Sequence, residues 1–404
     1  MFAKSQVTIM IILALVILIA AGFVLYLLKA AVKENQKVNI EDSHGTSIDT
    51  NPAKQYISKC LETTSKKAIT LIGRQGGYIY RSQKGPIVDY IDEDEGNYFV
   101  KNGDTTVSYN IMAPRFKVLS FLTTTPEYPW ESFPYSAKAS LTTSFSGYFG
   151  INTMPPLQIP NGPNSMEYQI EYYVDNNIKD CIKLEGLEKE YDISLGNPST
   201  NVRIGNDIVT VDTKMEVKIT NPVTKETTKM SDFSVQLDVR LKVAYYYVRD
   251  LISKDIGDIK FNISSRENDQ NQLSVRISKD INGRDDLVKV ADDKSFIDGK
   301  PFEYHFARKN RAPALYYIKK NTYEYPRYYL INLSDIVDVN DVKAEDPDED
   351  EVYFGIYIGK LGTEPAAFPV QLEAPSLDFR IEASDFEHKD FQIINVKRKD
   401  EIPI

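Results

Sequence analysis

Two cysteines, Cys60 and Cys181, are the only thiols in this chain, and its three histidines, His44, His305 and His388, stand far apart. A cysteine nucleophile needs a base within hydrogen-bond reach, and no histidine neighbours either thiol in sequence. No G-x-S-x-G, H-E-x-x-H or Cys-x-x-Cys spacing occurs. Carboxylates are plentiful, so an acid pair for hydrolysis stays open on composition alone. Six of them, Glu345, Asp346, Asp348, Glu349, Asp350 and Glu351, crowd around Pro347 and must repel one another unless something neutralises them. Asn262-Ile-Ser264 and Asn332-Leu-Ser334 fit the N-glycosylation acceptor pattern. Tyr128, Trp130, Phe133 and Tyr135 could stack on glycan rings, or more simply pin their own long loop to a sheet.

The cysteines gain meaning from the elements that carry them. Asn51 is a good N-cap and Pro52 suits a first helical position. Ala53, Ile57, Cys60, Leu61, Thr64, Ala68, Leu71 and Ile72 then keep a helical stripe, with Gly73 as its expected left-handed stop. A second helix is predicted over residues 165–184, its stripe including Met166, Ile170, Val174, Ile178 and Cys181. Both thiols therefore lie on buried stripes. Outside a reducing cytosol this suggests one disulfide, the alternative being two free core thiols.

Between and after these helices the pattern is that of sheet. Asn102-Gly103 marks a hairpin, and Gly205-Asn206 reads as a two-residue mirror-image turn between two alternating runs. Met215, Val217 and Ile219 alternate, as do Phe233, Val235, Leu237 and Val239, before the period lengthens into a helix through Ala244, Val248 and Ile252. Further turns are expected at Asn282-Gly283 and Asp298-Gly299. The fold class expected is α+β, with helices packed on an antiparallel sheet.

Residues 7–28 carry no charge. At about 1.5 Å per residue they span roughly 33 Å as a helix, enough to cross a bilayer core. Residues 31–50 are polar and aperiodic, a stalk in which His44 is solvated. Ahead of the apolar run, Lys4-Ser5-Gln6 resembles the class III signal of archaeal type IV pilin-like proteins. The resemblance implies cleavage between Ser5 and Gln6 and a cytoplasmic N-terminus. Polymerising pilins usually carry Glu where this chain has Met10, so insertion follows from the resemblance more directly than filament assembly.

From about residue 333 the texture changes to strand, acidic turn, strand. Ala344-Glu345-Asp346-Pro347-Asp348-Glu349-Asp350 followed by an alternating strand resembles cadherin-like and other immunoglobulin-like modules. That resemblance implies a C-terminal immunoglobulin-like β-sandwich in which Asp346, Asp348 and Asp350 would hold Ca²⁺. A solvated acidic turn is the other reading.

The chain thus divides into a signal and transmembrane anchor (1–30), a stalk (31–50), an α+β ectodomain (51–332, with room for two subdomains splitting near 255–270) and a β module (333–404). Its 404 residues carry a formal net charge of −10, which offers no basic stripe for nucleic acid. The expected function is a single-pass, membrane-anchored cell-surface protein with a structural, adhesion or pilin-like assembly role, without catalysis and with no cofactor beyond Ca²⁺. Its expected partners are the lipid bilayer, other surface proteins, glycans or copies of itself. The alternatives are a membrane-tethered glycan or solute receptor, or an envelope-polymer hydrolase.

Overall fold

The computed structural model describes residues 51–79, 98–103, 105–113, 149–158, 165–183 and 191–399. Ser5, Gln6, residues 7–28 and the aromatic residues 128–135 lie outside them. Among the described residues no helix is long and apolar enough to cross a membrane.

Helix α1 (Asn51–Arg74) begins where the cap chemistry requires and buries Ile57, Cys60, Leu61, Ala68, Ile69 and Ile72. It does not stop at Gly73. Gly76 takes the left-handed conformation (φ 72°) and the Gly77 N–H reaches back to the Ile72 carbonyl at 2.8 Å, a Schellman-type close. Gly73 serves a different purpose, because a Cβ there would come within 2.5 Å of the Glu303 carbonyl. Its bare backbone lets α1 sit directly on the sheet. Helix α2 (Met166–Cys181) is capped by the Ser165 hydroxyl, which accepts the Tyr168 N–H at 3.3 Å. Cys60 and Cys181 form the expected disulfide, with Cα atoms 5.6 Å apart. Closing a loop across 121 residues contributes on the order of 4–5 kcal/mol in the chain-entropy account. Helix α3 (Leu241–Gly257) packs Ala244, Val248, Leu251 and Ile252 inward.

The main sheet contains strands β1 (Phe99–Asn102), β2 (Thr105–Met112) and β3 (Ile151–Asn152), with β8 (Leu273–Ser278), β9 (Asp286–Ile297) and β10 (Lys300–Arg308). Its order is β1-β2-β10-β9-β8, with β3 on β2. It departs from the antiparallel expectation where β2 and β10 pair in parallel. Asp298 and Gly299 both take positive φ, 50° and 78°, forming the mirror-image turn that joins β9 to β10.

A second sheet holds β4 (Asp192–Leu195), β5 (Ser199–Ile204), β6 (Val209–Thr220) and β7 (Thr227–Leu237), with α1 packed between β7 and β10. Strand β6 alternates inward and outward residues along its whole length, as its sequence pattern requires. The turn at Gly205-Asn206 is longer than predicted: Ile204 pairs with Val209, so four residues make the connection.

Strand β5 would be an open edge but for α2. Glu167 accepts the Ile204 N–H at 2.9 Å, Glu171 accepts the Val202 N–H at 2.8 Å, and Asp175 takes the Thr200 N–H. Four helical residues advance about 6 Å and two strand residues about 6.6 Å, so a row of carboxylates at i, i+4 and i+8 keeps step with alternate N–H groups. The edge is blocked to other strands.

The C-terminal module has a four-stranded sheet, β12 (Thr322–Tyr325), β18 (Lys389–Arg398), β17 (Ser376–Ser384) and β15 (Tyr353–Ile358), in which β12 and β18 run parallel. Two short ladders, β11 (Ala314–Leu315) with β14 (Ala344–Glu345) and β13 (Leu330–Ile331) with β16 (Val370–Gln371), and the single-turn helix α4 (Leu333–Ile336) share one apolar core with it. Leu315, Ile318, Ile331, Ile336, Leu372, Phe379, Ile381, Ile394 and Val396 form that core. The module therefore takes in residues well ahead of 333. Asp390 and Gln392 of β18 bind the Leu315 and Ile318 N–H groups, both at 2.8 Å, and fix this earlier segment. The described structure as a whole is mixed α and β, with sheet predominating.

Candidate functional site

The acidic residues that crowd Pro347 in sequence meet the body of the protein through two arginines. Strand β10 ends at Arg308, and three residues on stands Arg311; both are almost wholly buried. A buried guanidinium needs several acceptors and compensating charge. Arg308 donates to Asp255 of α3 (Nη1 to Oδ1, 3.0 Å) and to Asp286 of β9 (Nη2 to Oδ2, 2.6 Å), and its Nε lies 3.0 Å from Asp348 Oδ1. Arg311 donates through Nη2 to Asp348 Oδ1 at 2.8 Å, its Nη1 lies 2.9 Å from Asp255 Oδ2, and its backbone N–H binds Asp348 Oδ2 at 2.8 Å. The Phe149 and Pro347 carbonyls take further guanidinium protons. Lys279, near the end of β8, lies 3.3 Å from Asp286 and donates to the Asp348 carbonyl.

Three carboxylates, Asp255, Asp286 and Asp348, thus face three cations. Burial works against the charge on both arginines, but the surrounding carboxylates override it and raise both pKa values. Burial likewise works against ionised Asp348, and Arg311 and Arg308 override it, holding its carboxyl below the usual range. Arg308, Arg311 and Asp348 therefore hold one another in their charged forms.

A second attachment lies beside the first. The tip of the β17–β18 hairpin presents Asp385 and Glu387, which accept from Asn310 Nδ2 at 3.0 and 2.9 Å. Arg284 donates to the Asp385 carbonyl at 2.9 Å. Behind Asn310, Asp285 accepts its backbone N–H at 2.9 Å and the Tyr109 hydroxyl at 2.5 Å. The short segment between β10 and β11 is therefore clasped on two sides by the module. What the arrangement does is fix the module's orientation on the body.

Two of the three carboxylates expected to hold Ca²⁺, Asp346 and Asp348, are buried and engaged within the chain, while Glu349 and Glu351 of the same turn are exposed. Asp346 and Asp348 are 8% and 2% exposed. Asp348 is occupied by guanidinium groups, and Asp346 Oδ1 accepts the N–H groups of Asp348 (2.7 Å) and Asp350 (3.2 Å). Among the described residues no three His, Cys, Asp or Glu side chains gather as metal ligands. An internal cation pair stands where a bound ion was expected.

No family model matches the chain, and no curated protein matches it. Among solved structures, Drosophila N-cadherin EC1-4 is similar over 52% of this chain and 67% of its own, at 12% identity and a TM-score of 0.17. Mouse protocadherin-24 EC1-3 is similar over 52% of this chain and 90% of its own, at 8% identity and a TM-score of 0.15.

The remaining candidate residues are scattered. Cys60 and Cys181 are joined to each other. His305 is buried on β10 beside Glu303 (2.9 Å), and burial lowers its pKa. His388 lies at the β17–β18 turn, where its carbonyl accepts from Ser384 Oγ. Asn262 and Asn332 are exposed, the second capping α4 through a capping box with Asp335. Sequence reasoning missed Asp255, Asp286, Arg308 and Arg311. The one available signal was the pair of arginines in Arg308-Lys309-Asn310-Arg311, at the end of a strand.

Proposed function

We propose that this chain is a membrane-anchored, outward-facing surface protein whose role is structural or adhesive, with an immunoglobulin-like C-terminal module carried on an α+β body. The observation that carries the reading is the join: two buried arginines, held by Asp255 and Asp286 of the body, take Asp348 of the module. A protein that transmits attachment or load needs such a fixed join between its parts. The Cys60–Cys181 bridge accords with folding outside a reducing cytosol. The apolar residues 7–28 would anchor the chain, and cleavage between Ser5 and Gln6 would leave that anchor in place. N-glycans on Asn262 and Asn332 would suit the same location.

The test is to express the full chain, tagged after Ile404, and label intact cells with an antibody to the tag. Labelling without permeabilisation, together with increased clumping or surface attachment, is the expected result. Labelling that appears only after permeabilisation overturns the reading.

A further inference from the structure

The turn that docks on the arginines also contains the chain's single Asp-Pro bond, Asp346-Pro347. Its surroundings differ from those of an ordinary peptide bond in three independent respects. Asp346 Oδ2 is buried and, among the described residues, has no hydrogen-bond partner, while Oδ1 is held by two backbone N–H groups. The Asp346 carbonyl oxygen accepts the Glu349 N–H at 3.2 Å. Glu349 itself sits in the left-handed region at φ 64°, a conformation that costs a non-glycine residue energy. Beyond the bond, the Pro347 carbonyl is fixed by Arg311 Nη2 at 2.9 Å.

We propose that Asp346-Pro347 is a self-cleaving bond, cut by the side chain of Asp346 in the folded protein. Oδ2 is one five-membered ring away from its own carbonyl carbon. Its attack forms a new C–O bond, and the oxyanion that develops on the carbonyl is the atom the Glu349 N–H already faces. The tetrahedral centre collapses with rupture of the C–N bond to Pro347. The carboxyl proton of Asp346 goes to the proline nitrogen, which leaves as a secondary amine. The cyclic anhydride left on Asp346 is opened by water to two carboxyl groups. One water is consumed, and the products are residues 1–346 and 347–404.

The proton is available near neutrality. Burial, aided by the charge of Asp348, holds the Asp346 carboxyl up to about 7. The charged groups that act on it are Asp348 and Asp350 of its own turn, and both push it up. Cleavage would not release the module at once, because β12 with β18 and β13 with β16 pair across the cut.

The full chain is incubated folded and in denaturant, at about pH 5 and about pH 8, and followed by intact mass. Fixed geometry and one oxyanion donor lead us to expect folded cleavage about 10- to 100-fold faster than denatured at the lower pH. Pro347→Ala, which keeps every carboxylate but worsens the leaving group, should abolish the fragments. Asp346→Glu, which enlarges the ring to six members, should slow them. No fragments from folded protein, or equal rates folded and denatured, overturns the proposal. So does a Pro347→Ala variant that still cleaves at this bond.

Discussion

Replacing Asp348 with Asn is the sharpest perturbation of the join, because it removes one charge and almost no volume. Asp348 is 2% exposed and takes Arg311 Nη2 at 2.8 Å, the Arg311 N–H at 2.8 Å and Arg308 Nε at 3.0 Å. Three carboxylates currently balance Arg308, Arg311 and Lys279. After the change two carboxylates face two buried guanidinium groups and the partly exposed Lys279. Breaking a buried pair while leaving its partner in place costs about 3–5 kcal/mol. For an ordered unit of this size each kcal/mol moves the melting temperature by roughly 2 °C, so Asp348→Asn should melt roughly 6–10 °C lower. Differential scanning calorimetry of the full chain is the assay, and more than one transition is acceptable if the shift falls on one of them. The double variant Arg311→Met/Asp348→Asn should lose less than the sum of the single losses, since each single change strands the other's charge. An Asp348→Asn protein that melts within about 1 °C of the wild type would refute the account of the join as a buried charge lock.

Two further outcomes follow from other parts of the structure. Asp346, Asp350 and Asp390 are held up to about 7, 6 and 7, chiefly by burial. Folded carboxyls above their unfolded value of about 3.9 bind more protons than the unfolded chain, so stability should fall as pH rises from about 5 to about 8. Asp390→Asn should flatten that slope in a melting-temperature profile; His305, held neutral by burial, acts in the opposite sense below about 6.5 and is removed as a variable by His305→Gln. On α2, Glu167→Leu strands the buried Ile204 N–H and should cost about 1–3 kcal/mol in urea unfolding, whereas Glu167→Gln keeps an acceptor and should cost much less.

What could be read from sequence was what depends on near neighbours. The helix at Asn51-Pro52, the alternation of β6 and the Asp298-Gly299 turn are local patterns, and each stands in the structure. The disulfide was legible because both cysteines sit on helical stripes whose period is visible within a few turns. The burial of Asp348 in the acidic turn was not legible because its neutralising partners come from elsewhere: Arg308 and Arg311 precede it by four short strands and a helical turn. Read alone, six crowded carboxylates ask for a solvent or metal counter-charge. Glu167, Glu171 and Asp175 were visible at i, i+4 and i+8, but a polar helix face ordinarily faces water. Only with β5 beside it does the match between helical and strand rise give those carboxylates a task. Gly73 misled for a similar reason, since a glycine near a helix end suggests a stop until the close approach of β10 is seen.

The composition of the join also bears on how it can move. A buried ion cluster adds little net stability compared with apolar packing of the same volume, because desolvation offsets most of the attraction. What it adds is a requirement of geometry: each guanidinium must keep its acceptors, and with Asp255 and Asp286 already fixed on the body the module must be placed so that Asp348 reaches both arginines. A small hinge opening would separate these charges before water could enter, in the low dielectric where separation is most costly. A wide opening would hydrate them and recover much of that cost. Gradual flexing at this join is therefore the least favourable motion, and the module should be either seated or fully undocked. A Ca²⁺-bridged join would depend on the surrounding ion concentration. An arginine-bridged one does not, and its rigidity is set by the chain alone.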